Sequence, residues 1–343
     1  MANAVFSPRD FKAYIIEETT TGNANGATPN APAITAGLHQ LDVDSVAFPS
    51  LSPNQVTAVR SRGGRVLHAD DFFQDNEIRA VEVSLSGTFR ADKGMQLLMQ
   101  SVTGTALADT VADVSLATAP TGVSGKYGEA EDNKTFTLVL APPDYDDGRN
   151  VIMVGCLCTN FGISADMTGD GGLYKFEATI SSGQNPITSN GQTPAITSGG
   201  SGIGNAGSLI TLMTLASSKI FNLTSPVISS FGFTVESPAI YTGFSSTGYH
   251  SFARGSEFTV TANATVKYDS LTRDLYDSFN TQTVDLASNL FVLTQSPATD
   301  CSISLPAGFL TDVTFNEGDA MMLDVAMQGV TNGSDAIFTI DLA

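Results

Sequence analysis

Val81–Ser101, VEVSLSGTFRADKGMQLLMQS, is the stretch whose reading decides the fold. It opens by alternating: Val81, Val83 and Leu85 fall on one side, Glu82, Ser84 and Ser86 on the other. That period of two belongs to a half-buried strand. Asp92 then suits a helix cap, and Met95, Leu98, Met99 and Val102 recur at helical spacing before Gly104, a helix stop. Phe258–Ser278, FTVTANATVKYDSLTRDLYDS, repeats the arrangement. Phe258, Val260 and Ala262 oppose Thr259, Thr261 and Asn263; Asp269 stands at the cap; Leu275, Tyr276 and Phe279, preceded by Leu271, form the stripe.

Working outward, the repeat widens. Pro32-Ala-Ile-Thr-Ala-Gly37 returns as Pro194-Ala-Ile-Thr-Ser-Gly199. After each helix the same order of elements is expected. Strands over Phe136–Leu140 and Leu290–Thr294 correspond. Longer strands over Asn150–Ser164 and Cys301–Phe315 follow, then turns at Gly169–Gly172 and Asn316–Asp319. Tyr174, Phe176, Ala178 and Ile180 alternate in one copy, Leu323, Val325 and Met327 in the other, and Ala336–Leu342 reads as a closing strand. The expected organisation is a first domain over 1–183, a Gly/Ser-rich linker over 184–206 and a second domain over 207–343. The second copy carries about fifteen extra residues between its Pro-Ala-Ile-Thr motif and its strand.

Composition agrees. Only 15% of residues are charged, and Gly, Ser and Thr fill the difference, which suits strands and turns. The net charge of −19 argues against gripping nucleic-acid phosphates. The N-terminus has no apolar signal core, and no apolar run reaches membrane-spanning length, so a soluble protein made in a cytoplasm and no membrane contact are expected. Cys156, Cys158 and Cys301 do not make a disulfide framework, and Cys156 and Cys158, two apart on an expected strand, read as two small buried apolar side chains.

No catalytic constellation rises above background, and neither an enzyme nor a cofactor is expected. Asp166-Met-Thr-Gly-Asp170-Gly-Gly has a little of the look of a calcium loop but lacks the ligand spacing, and is read as a hairpin turn. Asp144-Tyr-Asp-Asp-Gly148 is read as a solvated turn. Arg60, Arg62 and Arg65, followed by Asp70, Asp71, Asp75 and Glu77, stand on an expected exposed loop; opposite charges so close suit a contact between subunits.

The ordered set of these features resembles the tail tube proteins of long-tailed bacteriophages. Tyr14-Ile-Ile-Glu-Glu-Thr-Thr-Thr-Gly22 looks like that family's opening segment. Next come the Asp-bearing strand Leu41–Val46, the Ser-Pro-Asn-Gln-Val region with the arginine cluster, and the strand–helix unit. Gly155-Cys-Leu-Cys-Thr-Asn-Phe-Gly-Ile-Ser-Ala-Asp166 looks like the family's late strand. The resemblance covers most of the first 183 residues and is weaker in the second copy.

The resemblance implies a mainly β fold: two tandem tail-tube-like β-sandwich or barrel domains, each with one short flanking α-helix. It implies rings of six domains, reached here by a homotrimer, stacked into a virion tail tube assembled in the host cytoplasm. Its partners would be other copies of itself, a tape measure protein and tail terminator or tip proteins, with DNA passing through the lumen unbound. Glu82, Ser84, Ser86, Thr259, Thr261 and Asn263 would then face the lumen, and an acidic or neutral lining lets DNA slide. An ordinary solvent-facing strand accounts for the same residues. Arg60, Arg62, Arg65, Asp70 and Asp71 would make inter-ring contact. Two other functions fit a β-rich, acidic chain: a capsid-decoration or adhesin module, and a carbohydrate-active enzyme using paired carboxylates, which the lack of Trp disfavours.

Overall fold

In the computed structural model, the described residues are 7–18, 39–49, 54–57, 72–75, 81–90, 93–103, 114–115, 124–126, 135–142, 150–183, 186–188, 209–221, 223–244, 250–254, 258–279, 290–295, 301–318, 320–330 and 337–342. The fold is mainly β. The first half contributes β1 (Lys12–Glu17), β2 (His39–Leu41), β3 (Val43–Val46), β4 (Asn54–Thr57), β5 (Phe72–Asp75) and β6 (Val81–Thr88). Helix α1 (Lys93–Thr103) comes next, then β7 (Val114–Ser115), β8 (Ser124–Lys126), β9 (Phe136–Ala141), β10 (Val151–Asp166), β11 (Lys175–Ser182) and β12 (Ile187–Thr188). The second half contributes β13 (Leu215–Ile220), β14 (Leu223–Thr224), β15 (Ile228–Glu236), β16 (Ala239–Phe244), β17 (His250–Arg254) and β18 (Thr259–Lys267). Helix α2 (Arg273–Phe279) follows, then β19 (Phe291–Gln295), β20 (Cys301–Leu305), β21 (Gly308–Glu317), β22 (Met321–Gly329) and β23 (Thr339–Leu342).

The pairing order of the first half recurs in the second. In the first half, β2 pairs β1, β1 pairs β9, β9 pairs the start of β10, and β12 pairs that same start. The end of β10 pairs β11, β11 pairs β6, and β6 pairs β3. In the second half, β14 pairs β13, β13 pairs β19, β19 pairs β20, and β20 pairs β23. Correspondingly, β21 pairs β22, β22 pairs β18, and β18 pairs β15.

The halves differ where one layer passes to the other. β10 is continuous and bends at Gly155, whose φ of 62° favours glycine, between its pairings with β9 and β11. The single strand expected over Cys301–Phe315 is instead two, β20 and β21, separated at Pro306 and Ala307. Proline donates no ladder hydrogen bond, so the strand ends there. Consequently most strands of the first half share one 12-stranded sheet with β15, β18, β21 and β22, while β14, β13, β19, β20, β23 and β7 form a 6-stranded one.

The layers meet through aromatic side chains. Phe231 of β15 lies 6.4 Å from Phe291 of β19, and Phe233 lies 5.7 Å from Phe338, just before β23. One cluster of buried apolar residues runs through both halves and includes Cys156, Cys158 and Cys301, none of them in a disulfide; Cys156 and Cys158 are buried as expected. Burial pushes the Cys156 thiol well up from its ordinary value, with the Glu18 carboxylate adding to the effect.

Helix α1 buries the expected stripe of Met95, Leu98, Met99 and Val102. Helix α2 corrects the reading of the second copy. Leu275 is buried, but Tyr276 and Leu271 are exposed. Asp269 caps the segment as expected, its Oδ1 accepting from the backbone N–H of Leu271 and Thr272; α2 begins at Arg273, and Leu271 lies in the turn before it. Asp92 and Gly104 lie outside the described residues. Among the described residues, no helix is long and apolar enough to cross a membrane.

Candidate assembly surface

The polar face of the large sheet is built by strict alternation. In β6, Val81, Val83 and Leu85 are buried while Glu82 and Ser84 are exposed and Ser86 is half-buried. In β18, Val260, Ala262 and Ala264 are buried while Thr261 and Asn263 are exposed and Thr259 is half-buried. All six residues singled out in the sequence therefore lie on the side of their strands away from the core. Neighbouring strands extend this face with Glu177 and Thr179 of β11, Asn160 and Ser164 of β10, Thr234 and Glu236 of β15, and Asp324 of β22.

Its carboxylates are held mostly by uncharged donors. Asn160 Nδ2 donates to Glu236 Oε1 at 3.1 Å. Thr265 Oγ1 donates to Asp324 Oδ1 at 2.6 Å, and Asn316 Nδ2 to its Oδ2 at 3.0 Å. Such bonds fix the side chains but leave the negative charge uncancelled. Sequence reading missed the two lysines of this face, Lys175 and Lys267, both at strand ends. Lys175 Nζ lies 2.6 Å from Asp44 Oδ2, and this carboxylate raises its pKa.

The two halves join along this sheet. The end of β10 pairs antiparallel with β15, Asn160 opposite Glu236 through Asp166 opposite Ser230. Apolar partners such as Ile163 and Phe233 face the core, and Gly162 opposite Thr234 faces the polar side. β15 holds the place in its half that β3 holds in the first, and β21 holds the place of the end of β10. Among the described residues, β3 pairs only β6 and β21 pairs only β22, so the run β3-β6-β11-β10-β15-β18-β22-β21 has open edges at these two strands. Beside its edge, Phe315 of β21 is 37% exposed and packs on Tyr268 and Tyr276 at 5.3 and 4.9 Å. At the other edge, Gly87 of β6 allows β3 to come close, because a Cβ there would lie 2.0 Å from the Asp42 carbonyl oxygen.

Two polar links were not read from the sequence. Glu18, only 8% exposed, accepts from Thr135 Oγ1 at 2.7 Å, Thr137 Oγ1 at 2.7 Å and Gly155 N–H at 2.8 Å. The opening segment and the late strand quoted above thus meet at one buried carboxylate. Across the halves, Gln295 Nε2 donates to the Tyr174 hydroxyl, and burial raises that phenol's pKa. The signal for Glu18 lay in the sequence, beside a run of threonines, but nothing there distinguished it from a surface acid.

The Asp166–Gly172 segment is a turn, as read. Thr168 N–H and Oγ1 both donate to Asp166 Oδ1 at 2.7 Å, which lowers that carboxyl's pKa. Among the described residues, no group of three or more His, Cys, Asp or Glu side chains is placed to hold a metal ion. Arg60, Arg62, Arg65, Asp70 and Asp71, and the Asp144–Gly148 turn, lie outside the described residues; the flanking strands β4 and β5 pair with each other.

No family model and no curated protein matches the chain. Among solved structures, a chain from the virion of a native gene transfer agent particle is similar at 11% identity and a TM-score of 0.23, over 39% of this chain and 88% of that one. A chain from the tail of an empty gene transfer agent particle, refined helically with C6 symmetry, is similar at 10% identity and a TM-score of 0.24, over 40% of this chain and 87% of that one. These chains belong to an assembled virion and to a particle tail; at such scores the likeness carries no argument about what this chain does.

Proposed function

We propose that the chain is a duplicated structural protein of a long-tailed phage-like particle, whose copies close into rings that stack as a tail tube. The halves would be the domains 1–183 and 207–343 with the linker 184–206 between them. The observation that carries the reading is the β10–β15 joint together with its unmade counterparts at both open edges. An exposed edge invites a further strand, and a closed ring of strands leaves no edge. Since β21 stands for the end of β10 and β3 for β15, β21 of one copy would pair with β3 of the next as β10 pairs with β15.

Carrying the internal register across gives definite partners. Val313 would oppose Val46, Asp312 would oppose Ala47, and Phe315 would oppose Val43. The faces agree: Val313 is buried and Val46 packs on the core, whereas Asp312 and Ala47 are exposed. Such a contact is head-to-tail, which gives a ring if the rotation closes. Three copies make the six-part ring that the family resemblance implies, with the acidic face inward, DNA passing unbound, and tape measure and terminator proteins at the tube's axis and ends.

The test is a disulfide. Ala47→Cys with Asp312→Cys, oxidised and run without reductant, should give a ladder ending at a trimer, while each single variant stays monomeric on the gel. A double variant that stays monomeric, when negative-stain images show rings, would refute this register. Wild-type protein that never leaves the monomer at high concentration would refute the ring.

A further inference from the structure

Six exposed apolar side chains gather at one end of the large sheet. Val227 precedes β15 and is 61% exposed; Met321 opens β22 and is 51% exposed; Leu271 follows β18 and is 65% exposed. They are neighbours by backbone contact: Lys267 N–H donates to the Val227 carbonyl at 3.0 Å, and Tyr268 N–H to the Met321 carbonyl at 3.1 Å. Met167 joins them, its N–H bonded to the Ser229 carbonyl at 2.9 Å. Leu209 and Met213 lie on the segment that Leu212 N–H ties to the Gly172 carbonyl at 2.7 Å. Exposed apolar residues scattered singly need no explanation, but a contiguous group marks a contact surface.

The corresponding end of the first half is different. There Arg90 Nε lies 2.7 Å from Asp42 Oδ2, and Lys175 reaches Asp44. The apolar surface thus centres on the second half, with Met167, just after β10, joining it.

We propose that this end of the second half is the surface on which a second copy of the chain stacks, an inference that rests on the ring reading above. Two observations select a second copy as the occupant. The first is polarity. The hairpins β4–β5 and β16–β17 connect β3 to β6 and β15 to β18, so they leave from the opposite end of the sheet. Copies stacked in one orientation bring that end onto the apolar rim. The second is charge. Asp170 and Glu317 are exposed at the rim, and Arg60, Arg62 and Arg65 stand in sequence between β4 and β5 in a chain with only 16 basic residues. Because each chain carries the rim once, it repeats three times around a ring and sets the angle at which the next ring sits.

The experiment uses full-length Val227→Asp/Met321→Asp, with Leu271→Glu as a separate variant. Ring mass is read by light scattering, fold by thermal melting and tube growth by negative-stain microscopy. Rings and melting temperature should match the wild type, and the concentration needed for tubes should rise about tenfold or more, since each change replaces apolar contact with an unpaired charge. Tubes growing from both variants at the wild-type concentration would overturn the rim while leaving the ring intact. If the double variant fails to fold, Leu271→Glu, in an exposed turn, decides alone. Wild-type protein that forms no rings overturns the parent reading and the rim with it.

Discussion

Replacing Glu18 with alanine removes one acceptor from three buried donors. Thr137 and Gly155 bond to Oε1 and Thr135 to Oε2, all within 2.8 Å. A buried donor left unsatisfied costs about 1–3 kcal/mol. The two threonine hydroxyls can rotate toward other acceptors, and the variant no longer buries a carboxylate, so the net loss is about 3–5 kcal/mol. A chain of 343 residues melting as one unit has an unfolding entropy of about 0.7 kcal/mol/K, so the midpoint should fall by about 4–7 °C. Glu18→Gln separates charge from hydrogen bonding. Its amide oxygen can still accept from Thr137 and Gly155, and the Thr135 hydroxyl can reverse and accept from the amide NH₂. It should lose less than half as much. Calorimetry of the three proteins is the assay. An alanine variant melting within about 1 °C of the wild type would refute the reasoning; so would a glutamine variant as damaged as alanine.

Asp269→Ala should loosen the start of α2 at neutral pH and matter little in strong acid. Hydrogen bonds from Leu271 and Thr272 depress the Asp269 pKa below its unfolded value of about 3.9. Its contribution is therefore full above that value and lost as pH falls through the folded pKa. Hydrogen exchange at Leu271–Leu275 at pH 7 and pH 2 tests the sign, and an equal effect at both would contradict it. Replacing Ser84 and Thr261 with lysine, both exposed on the polar face, should leave rings and tubes intact but slow DNA passage; particles that eject DNA at the wild-type rate would remove the lumen assignment.

Much of the fold was legible because its strands are half-buried. Val81–Leu85 and Val260–Ala264 each declare a buried and an exposed side within a few residues, and the local order of strands and helices followed from there. What stayed hidden was pairing across distance. Gly162, Ser164, Gly232 and Thr234 are small or polar, so neither β10 nor β15 announces that it is the other's neighbour. The second helix was misread because Leu271 and Tyr276 fit an apolar stripe by spacing, yet both are exposed. The Glu18 site depends on a carboxylate meeting two residues more than a hundred positions away and a backbone N–H turned by Gly155.

The β10–β15 joint has a kinetic consequence. Within one chain the two strands meet at an effective concentration set by a tether, so making that joint costs no translational freedom. In a ring of three such chains, every second seam is already closed when the chains meet, and only the others depend on how much protein the cell has made. Nucleation is then a three-body event instead of a six-body one. The intermolecular seam alone is left free for selection to tune, and a weak one would keep chains apart until something gathers them.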